Sequence, residues 1–229
     1  MLMGYLDVYW LDFYDYHEHI QVSDLHSHIN QSPSMTGAIL FGGKSSRMGQ
    51  PKHEVRLSDG STFLERVLAA IRPLCSQIVL LGGHAVSIKD EFQIVEDLRP
   101  EQGPMGGIES LLATKLDLRY LIVACDQPLL TSDTCRLLLD DAAAVSVFKS
   151  AETAKYLPFP GIYSSEIEPL VSKALDEGNR SLQQLFRSLP TLKAQDITAE
   201  FEQTLRSFNT PDSLDKLEAI LKLQSKDSI

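Results

Sequence analysis

The 229-residue chain is poor in cysteine: Cys75, Cys125 and Cys135 are the whole set, with no paired or Cys-x-x-Cys spacing. An odd, scattered set excludes a disulfide framework and a cysteine-built zinc site, and it fits a reducing cytoplasm. No apolar run approaches the roughly 18 residues of a membrane span, so no membrane partner is expected. There is no repeat and no low-complexity linker. Basic residues are in deficit, 21 Lys and Arg against 31 Asp and Glu, for a formal net charge of −10. That deficit excludes a general nucleic-acid-binding surface.

The deficit is uneven. No Lys or Arg precedes Lys44, while Asp7, Asp12, Asp15, Glu18 and Asp24 all lie upstream of it. The same region holds Tyr5, Tyr9, Trp10, Phe13, Tyr14 and Tyr16, and His17, His19, His26 and His28. It has neither the basic start nor the compact apolar stretch of a secretory signal. The two His-x-His pairs lack a Cys or fixed turn to organise a metal site, so solvated histidines are expected. Residues 1–34 read as an N-terminal extension, disordered or loosely docked. Residues 35–229 read as the functional domain, and 43% hydrophobic with 23% charged residues overall are globular values.

Chemistry concentrates at residues 36–53. An apolar strand, Thr36–Phe41, runs into Gly42-Gly43, followed by Lys44, Arg47, Gly49 and Lys52. Glycines let backbone N–H groups approach an anion, and three cations can neutralise phosphate charge. This pattern predicts a nucleoside-triphosphate site. A P-loop needs Gly, four residues, then Gly-Lys-Ser/Thr. Here Gly43-Lys44-Ser45 puts Ala38 at the first glycine, and starting at Gly37 puts Gly43 at the lysine, so the match fails in either register.

From Met35 onward short apolar strands alternate with amphipathic helices, which predicts α/β with a largely parallel sheet. Strands are expected at Thr36–Phe41, Gln77–Leu81, Phe92–Val95, Tyr120–Ala124, Val145–Lys149 and Phe159–Tyr163. Tyr120–Ala124 is wholly apolar and should be central. Thr62 and Glu65 have capping-box spacing for a helix ending near Pro73. Further helices are expected at Ile108–Lys115, from Ser132 through Ala143, at Glu166–Glu177, at Ser181–Leu189 and at Asp212–Leu223. In open α/β sheets ligands bind beyond the carboxyl ends of strands. Three such ends carry chemistry: the glycine loop, Asp97 and Asp126. An Asp after a buried strand, held by a Pro-containing turn, suits Mg²⁺, which takes one or two carboxylates plus phosphate oxygens and water. A plain turn residue before proline is the other reading of Asp126.

The run Leu40-Phe41-Gly42-Gly43-Lys44-Ser45-Ser46-Arg47-Met48-Gly49-Gln50-Pro51-Lys52 resembles the nucleotidyltransferases that begin L-x-G-G-x-S-x-R-M-G-x-x-K. Within them the chain looks most like the molybdenum cofactor guanylyltransferases of the MobA type, over about residues 36–223. Cys125-Asp126-Gln127-Pro128 fits their C-D-x-P element. Glu96-Asp97 and Gly103-Pro104-Met105-Gly106-Gly107 resemble their E-D…G-P-x-x-G segment. Gly178-Asn179-Arg180-Ser181-Leu182 resembles their G-x-R-S-L, and Asn209-Thr210-Pro211 their N-T-P.

The resemblance implies a single Rossmann-like, three-layer nucleotidyltransferase domain with a mostly parallel central sheet. It implies transfer of GMP from GTP to molybdenum-bound molybdopterin with release of pyrophosphate. Arg47, Lys52 and Asp126 would be catalytic, with Mg²⁺ on Asp126. Leu40, Phe41, Gly42, Gly43, Lys52, Asp97 and Asp126 would bind the nucleotide, guanine being read by backbone groups around Leu40–Gly42. Arg180 and Asn209 would contact the acceptor. Transient contact with molybdenum cofactor biosynthesis proteins or molybdoenzymes would follow. Three positions depart from the family pattern: Phe41 stands for Ala, Leu81 for a base-contacting Asn, and Leu157 for His. They leave open a cytidylyltransferase for the same cofactor, a sugar-phosphate nucleotidyltransferase, or a nucleotide-binding partner without turnover.

Overall fold

A computed structural model describes residues 35–41, 55–82, 92–139 and 143–226. Residues 1–34, and with them the proposed extension, lie outside the described residues, as do Gly42, Gly43, Lys44, Arg47 and Lys52.

The apolar segments form a seven-stranded sheet among the described residues. Its strands are β1 (Met35–Leu40), β2 (Cys75–Leu81), β3 (Gln93–Val95), β4 (Arg119–Ala124), β5 (Val145–Ser150), β6 (Tyr156–Ser164) and β7 (Leu192–Ile197). The order is β3-β2-β1-β4-β6-β5-β7, with every pairing parallel except those of β6. As expected, the apolar strand β4 is central. In β4 the alternation of side chains sends Leu121 and Val123 to one face and Tyr120 and Ile122 to the other, and all four are buried.

Helices cover both faces. On one lie α1 (Phe63–Ile71), α3 (Ser132–Arg136) and α7 (Pro211–Lys226), whose apolar residues share a core with Ile39, Leu80 and Phe148. The other carries α2 (Pro104–Ala113), α4 (Glu168–Asp176) and α5 (Leu182–Ser188), packed on Ala38, Val79 and Val147. The result is a single three-layer α/β domain.

Helix α1 shows how sequence becomes packing. Thr62 Oγ1 accepts from the Glu65 amide at 3.2 Å and the Glu65 carboxylate accepts from the Thr62 amide at 2.6 Å, closing the expected capping box. Its buried stripe, Phe63, Val67, Leu68 and Ile71, then faces the sheet. Each such fully buried side chain contributes about 1.5–3 kcal/mol.

Several expectations change. Helix α2 begins at Pro104 rather than Ile108. The helix from Ser132 ends at Arg136 rather than Ala143, and Thr131 rather than Ser132 caps it. Beyond it the amides of Leu138 and Leu139 bond to Cys135 and Arg136, an i→i+3 spacing that tightens and ends the helix. Strand β7 and helix α6 (Ala199–Thr204) were not legible. β7 is an edge strand whose Lys193, Gln195 and Asp196 break the apolar pattern, and α6 has no fully buried residue.

The core also sets thiol chemistry. Burial disfavours the thiolate and pushes Cys75 and Cys135 up to about 12, with the charge of Asp117 adding to the effect at Cys75. Both thiols therefore stay protonated at pH 8. In the folded protein a disulfide reagent at pH 8 should leave both unmodified for hours by mass spectrometry, and denaturant should expose them at once. Fast modification of either in the folded state contradicts this packing.

Candidate active site at the carboxyl edge of the sheet

The ladder of β1, β2, β3 and β4 continues one residue past the strands. The Phe41 amide donates to Leu81 O (3.0 Å), Gly82 to Val95 O (3.1 Å) and Cys125 to Leu40 O (3.1 Å). The loops after these strands therefore leave the sheet side by side. β1 ends in the middle at Phe41, with the Asp97 loop on one flank and the Asp126 turn on the other.

The Asp97 side is shaped by the glycines of the segment after it. Gly103 has φ of +64°, a conformation other residues rarely adopt, and Pro104 starts α2 behind it. A Cβ on Gly107 would stand 3.0 Å from Leu40 Cδ2 and 3.9 Å from Asp97 Oδ1. The first turn of α2 thus lies against both the end of β1 and the Asp97 carboxylate. Ser110 holds this loop: its hydroxyl accepts from the Leu98 amide (2.8 Å) and donates to Gly106 O (2.8 Å). Arg99 bonds the buried Glu109 at 2.9 Å and Asp176 of α4 at 2.5 Å, which ties the loop to two helices.

The Asp126 side is built differently. Asp126 is half-buried, two residues past β4. Ser207 Oγ donates to its Oδ1 at 3.0 Å, and the Phe208 amide donates to its carbonyl at 3.0 Å. A cleft of about 570 Å³ opens alongside, lined in part by Gln127, Phe159, Glu202, Arg206 and Ser207. Among the described residues no cluster of three or more His, Cys, Asp or Glu forms an all-protein metal cage. One carboxylate fixed by Ser207, a residue of the cleft wall, still fits a hard divalent ion, because such an ion fills its other positions with phosphate oxygens and water.

The predicted residues therefore separate into groups. Leu40, Phe41, Asp97 and Asp126 meet at one edge. Phe41 packs its ring on the α1 face of the core, and Leu40 packs on the α2 face. Leu81 is buried, so the position of the family's Asn here serves the core. Arg180 is exposed and donates from Nε to Gln102 Oε1 at 2.7 Å, on the Asp97 side. Asn209 lies on the other flank, just after Phe208, where its amide donates to Ser213 Oγ at 3.0 Å at the start of α7. Sequence reasoning missed Ser110, Gln127 and Ser207. Nothing in the local sequence marks them.

A mostly parallel sheet, with Asp97 and Asp126 following strands on either flank of the end of β1, fits a nucleotidyltransferase-type α/β domain. The MobA-like NTP transferase domain family matches residues 37–194, and the chain belongs to that family of nucleotidyltransferases. A protein of Carboxydothermus hydrogenoformans named probable molybdenum cofactor guanylyltransferase is 32% identical over 198 residues, covering 83% of this chain and 98% of that one. A protein of the same name from Flavobacterium johnsoniae is 30% identical, covering 80% and 96%. In fold, the crystal structure of molybdopterin-guanine dinucleotide biosynthesis protein A from Archaeoglobus fulgidus superposes with a TM-score of 0.66. It is 22% identical, covering 82% of this chain and 99% of that one.

Removing the Ser110 hydroxyl leaves the Leu98 amide without its partner. Ser110→Ala should cost about 1 kcal/mol by denaturant unfolding and weaken nucleotide binding, measured by titration calorimetry. Unchanged nucleotide affinity in a destabilised variant would separate the Asp97 loop from the nucleotide site.

Proposed function

We propose that this chain transfers GMP from GTP to molybdenum-bound molybdopterin and releases pyrophosphate. The observation that carries the reading is a match along nearly the whole length of proteins named molybdenum cofactor guanylyltransferase. What supports it in the structure is the Asp126 carboxylate, held by Ser207, and a cleft of about 570 Å³ that Ser207 and Gln127 help to line.

In this reading the triphosphate lies over the glycine loop. Gly42 and Gly43 would let backbone amides approach the phosphates, and Arg47 and Lys52 would neutralise the charge that builds on the departing pyrophosphate. Backbone groups of Leu40, Phe41 and Gly42 read the guanine, and Asp97 borders the nucleotide from the other flank. The phosphate of the acceptor, seated in the cleft, attacks the α-phosphorus in line. One P–O bond forms as the bond to the β-phosphate bridge breaks, so no side-chain nucleophile is needed, and Cys125 is not one. Asp126 would hold Mg²⁺, which when bound screens the triphosphate and withdraws charge from the α-phosphoryl oxygens. Asn209 contacts the acceptor from the Asp126 side, and Arg180 would reach it from the Asp97 side. The setting is cytoplasmic, with transient hand-over contacts to molybdenum cofactor biosynthesis proteins or molybdoenzymes.

With Mg²⁺ present, GTP should raise the thermal unfolding midpoint more than CTP or ATP, because ligand that binds the native state stabilises it by mass action. A larger shift with CTP would replace the guanylyl reading by a cytidylyl one.

Asp126→Asn should lower the rate of pyrophosphate release from GTP plus molybdopterin on the order of 100-fold or more. Folding should change little, since an asparagine Oδ1 can still accept from Ser207. Near-normal turnover in this variant would reduce Asp126 to a turn residue.

A further inference from the structure

Gln127 is a buried polar residue that this chemistry does not use. It is 4% exposed, and its carboxamide makes three bonds. Nε2 donates to Phe159 O (2.8 Å) and to Leu205 O (2.7 Å), and Oε1 accepts from the Ala124 amide (3.4 Å). An amide nitrogen has two hydrogens, and both are engaged. One side chain therefore pins three segments: the end of β4, the start of β6, and the residue after α6.

These segments are parts of the site. Ala124, Phe159 and Leu205 all line the cleft. Leu205 is followed by Ser207 and Phe208, whose hydroxyl and amide hold Asp126 by its carboxylate and its carbonyl. The bonds close a ring that runs from Asp126 to Gln127, across to Leu205, along the chain to Ser207, and back to Asp126. Removing the Gln127 donor frees the Leu205–Phe208 turn, and with it the group that orients the carboxylate.

We propose that Gln127 is a positioning residue, which aims Asp126 at its divalent ion through the Leu205–Phe208 turn and sets the acceptor cleft through Phe159. The acceptor half of this inference rests on the proposed function. The ion half needs only the carboxylate. Two carbonyl oxygens face the nitrogen, so only a donor satisfies both. Glutamate at 127 keeps the volume. Ionised, it sets an oxygen against both carbonyls, and protonated, it can serve one.

The test compares the full-length wild type with Gln127→Glu, Gln127→Leu and Ser207→Ala. Mn²⁺ alone is titrated in, and the free ion is counted by electron paramagnetic resonance. Residues behind a metal ligand typically govern affinity by about 10–100-fold. All three variants should bind Mn²⁺ about 10-fold more weakly. Gln127→Leu should also raise the acceptor KM while leaving that for GTP unchanged. Wild-type Mn²⁺ affinity in Gln127→Glu and Ser207→Ala overturns the proposal, leaving Gln127 as a packing residue. Should the Gln127 variants not fold, Ser207→Ala, at an exposed position, decides by the same titration. A wild type that releases no pyrophosphate from GTP with molybdopterin refutes the proposed reaction instead, and the Mn²⁺ comparison stands apart from it.

Discussion

Strand β1 is hydrogen-bonded in parallel on both sides, Thr36–Leu40 to Gln77–Leu81 and to Tyr120–Ala124. Everything at the carboxyl edge depends on that double pairing. It buries Ala38 and Ile39 on opposite faces, so a helical layer is required above and below. It also demands close approach at Gly37, where a Cβ would lie 2.8 Å from Cys75 Sγ. Because the strands run the same way, their carboxyl ends finish level. The end of β1 then lies between strand ends that lead to Asp97 on one side and Asp126 on the other. Charge follows from this placement: an acidic protein concentrates Lys44, Arg47 and Lys52 within one short stretch of chain, which suits a small polyanion.

The two aspartates are held by unlike devices. Asp97 belongs to a loop made rigid by its neighbours, with the Ser110 hydroxyl under it, Arg99 bridging to Glu109 and Asp176, and Gly107 admitting the helix against Leu40. Asp126 is held directly, through Ser207 and Phe208, from a segment 81 residues further along the chain. The first arrangement makes the loop rigid around the carboxylate. The second ties the carboxylate to the C-terminal part of the domain, so an acceptor bound there and an ion bound at Asp126 would sense the same turn.

The antiparallel strand β6 makes that junction possible. Inserted between β4 and β5, it runs against β4, with Tyr120 opposite Tyr163 and Ile122 opposite Gly161. Its beginning, Tyr156–Phe159, therefore arrives at the carboxyl end of β4, where a parallel strand would have brought its end. Phe159 O then stands within reach of Gln127, and Leu157 packs on the core while lining the cleft. Tyr163 closes the strand on itself: its hydroxyl donates to Pro158 O at 2.7 Å.

Much was legible in the sequence because it is written in local patterns. The period of apolar residues marks β1 and β4, and the Thr62–Glu65 spacing marks the start of α1. These signals lie within a few residues of one another and need no partner to be read. Edge strand β7 escaped because burial on a single pairing side leaves it rich in polar residues. The meeting of Asp97, Leu40 and Asp126 at one edge was expected from the strand ends, but the means of holding them was not. Ser110, Gln127 and Ser207 act on groups 12, 32, 78 and 81 residues away, and a hydroxyl or carboxamide carries no mark of such a partner. Sequence alone determined the fold class and the chemistry on offer, because both follow from local period and residue type. Tertiary structure alone decided which side chains aim that chemistry, because hydrogen bonds across the sheet edge depend on register and strand direction.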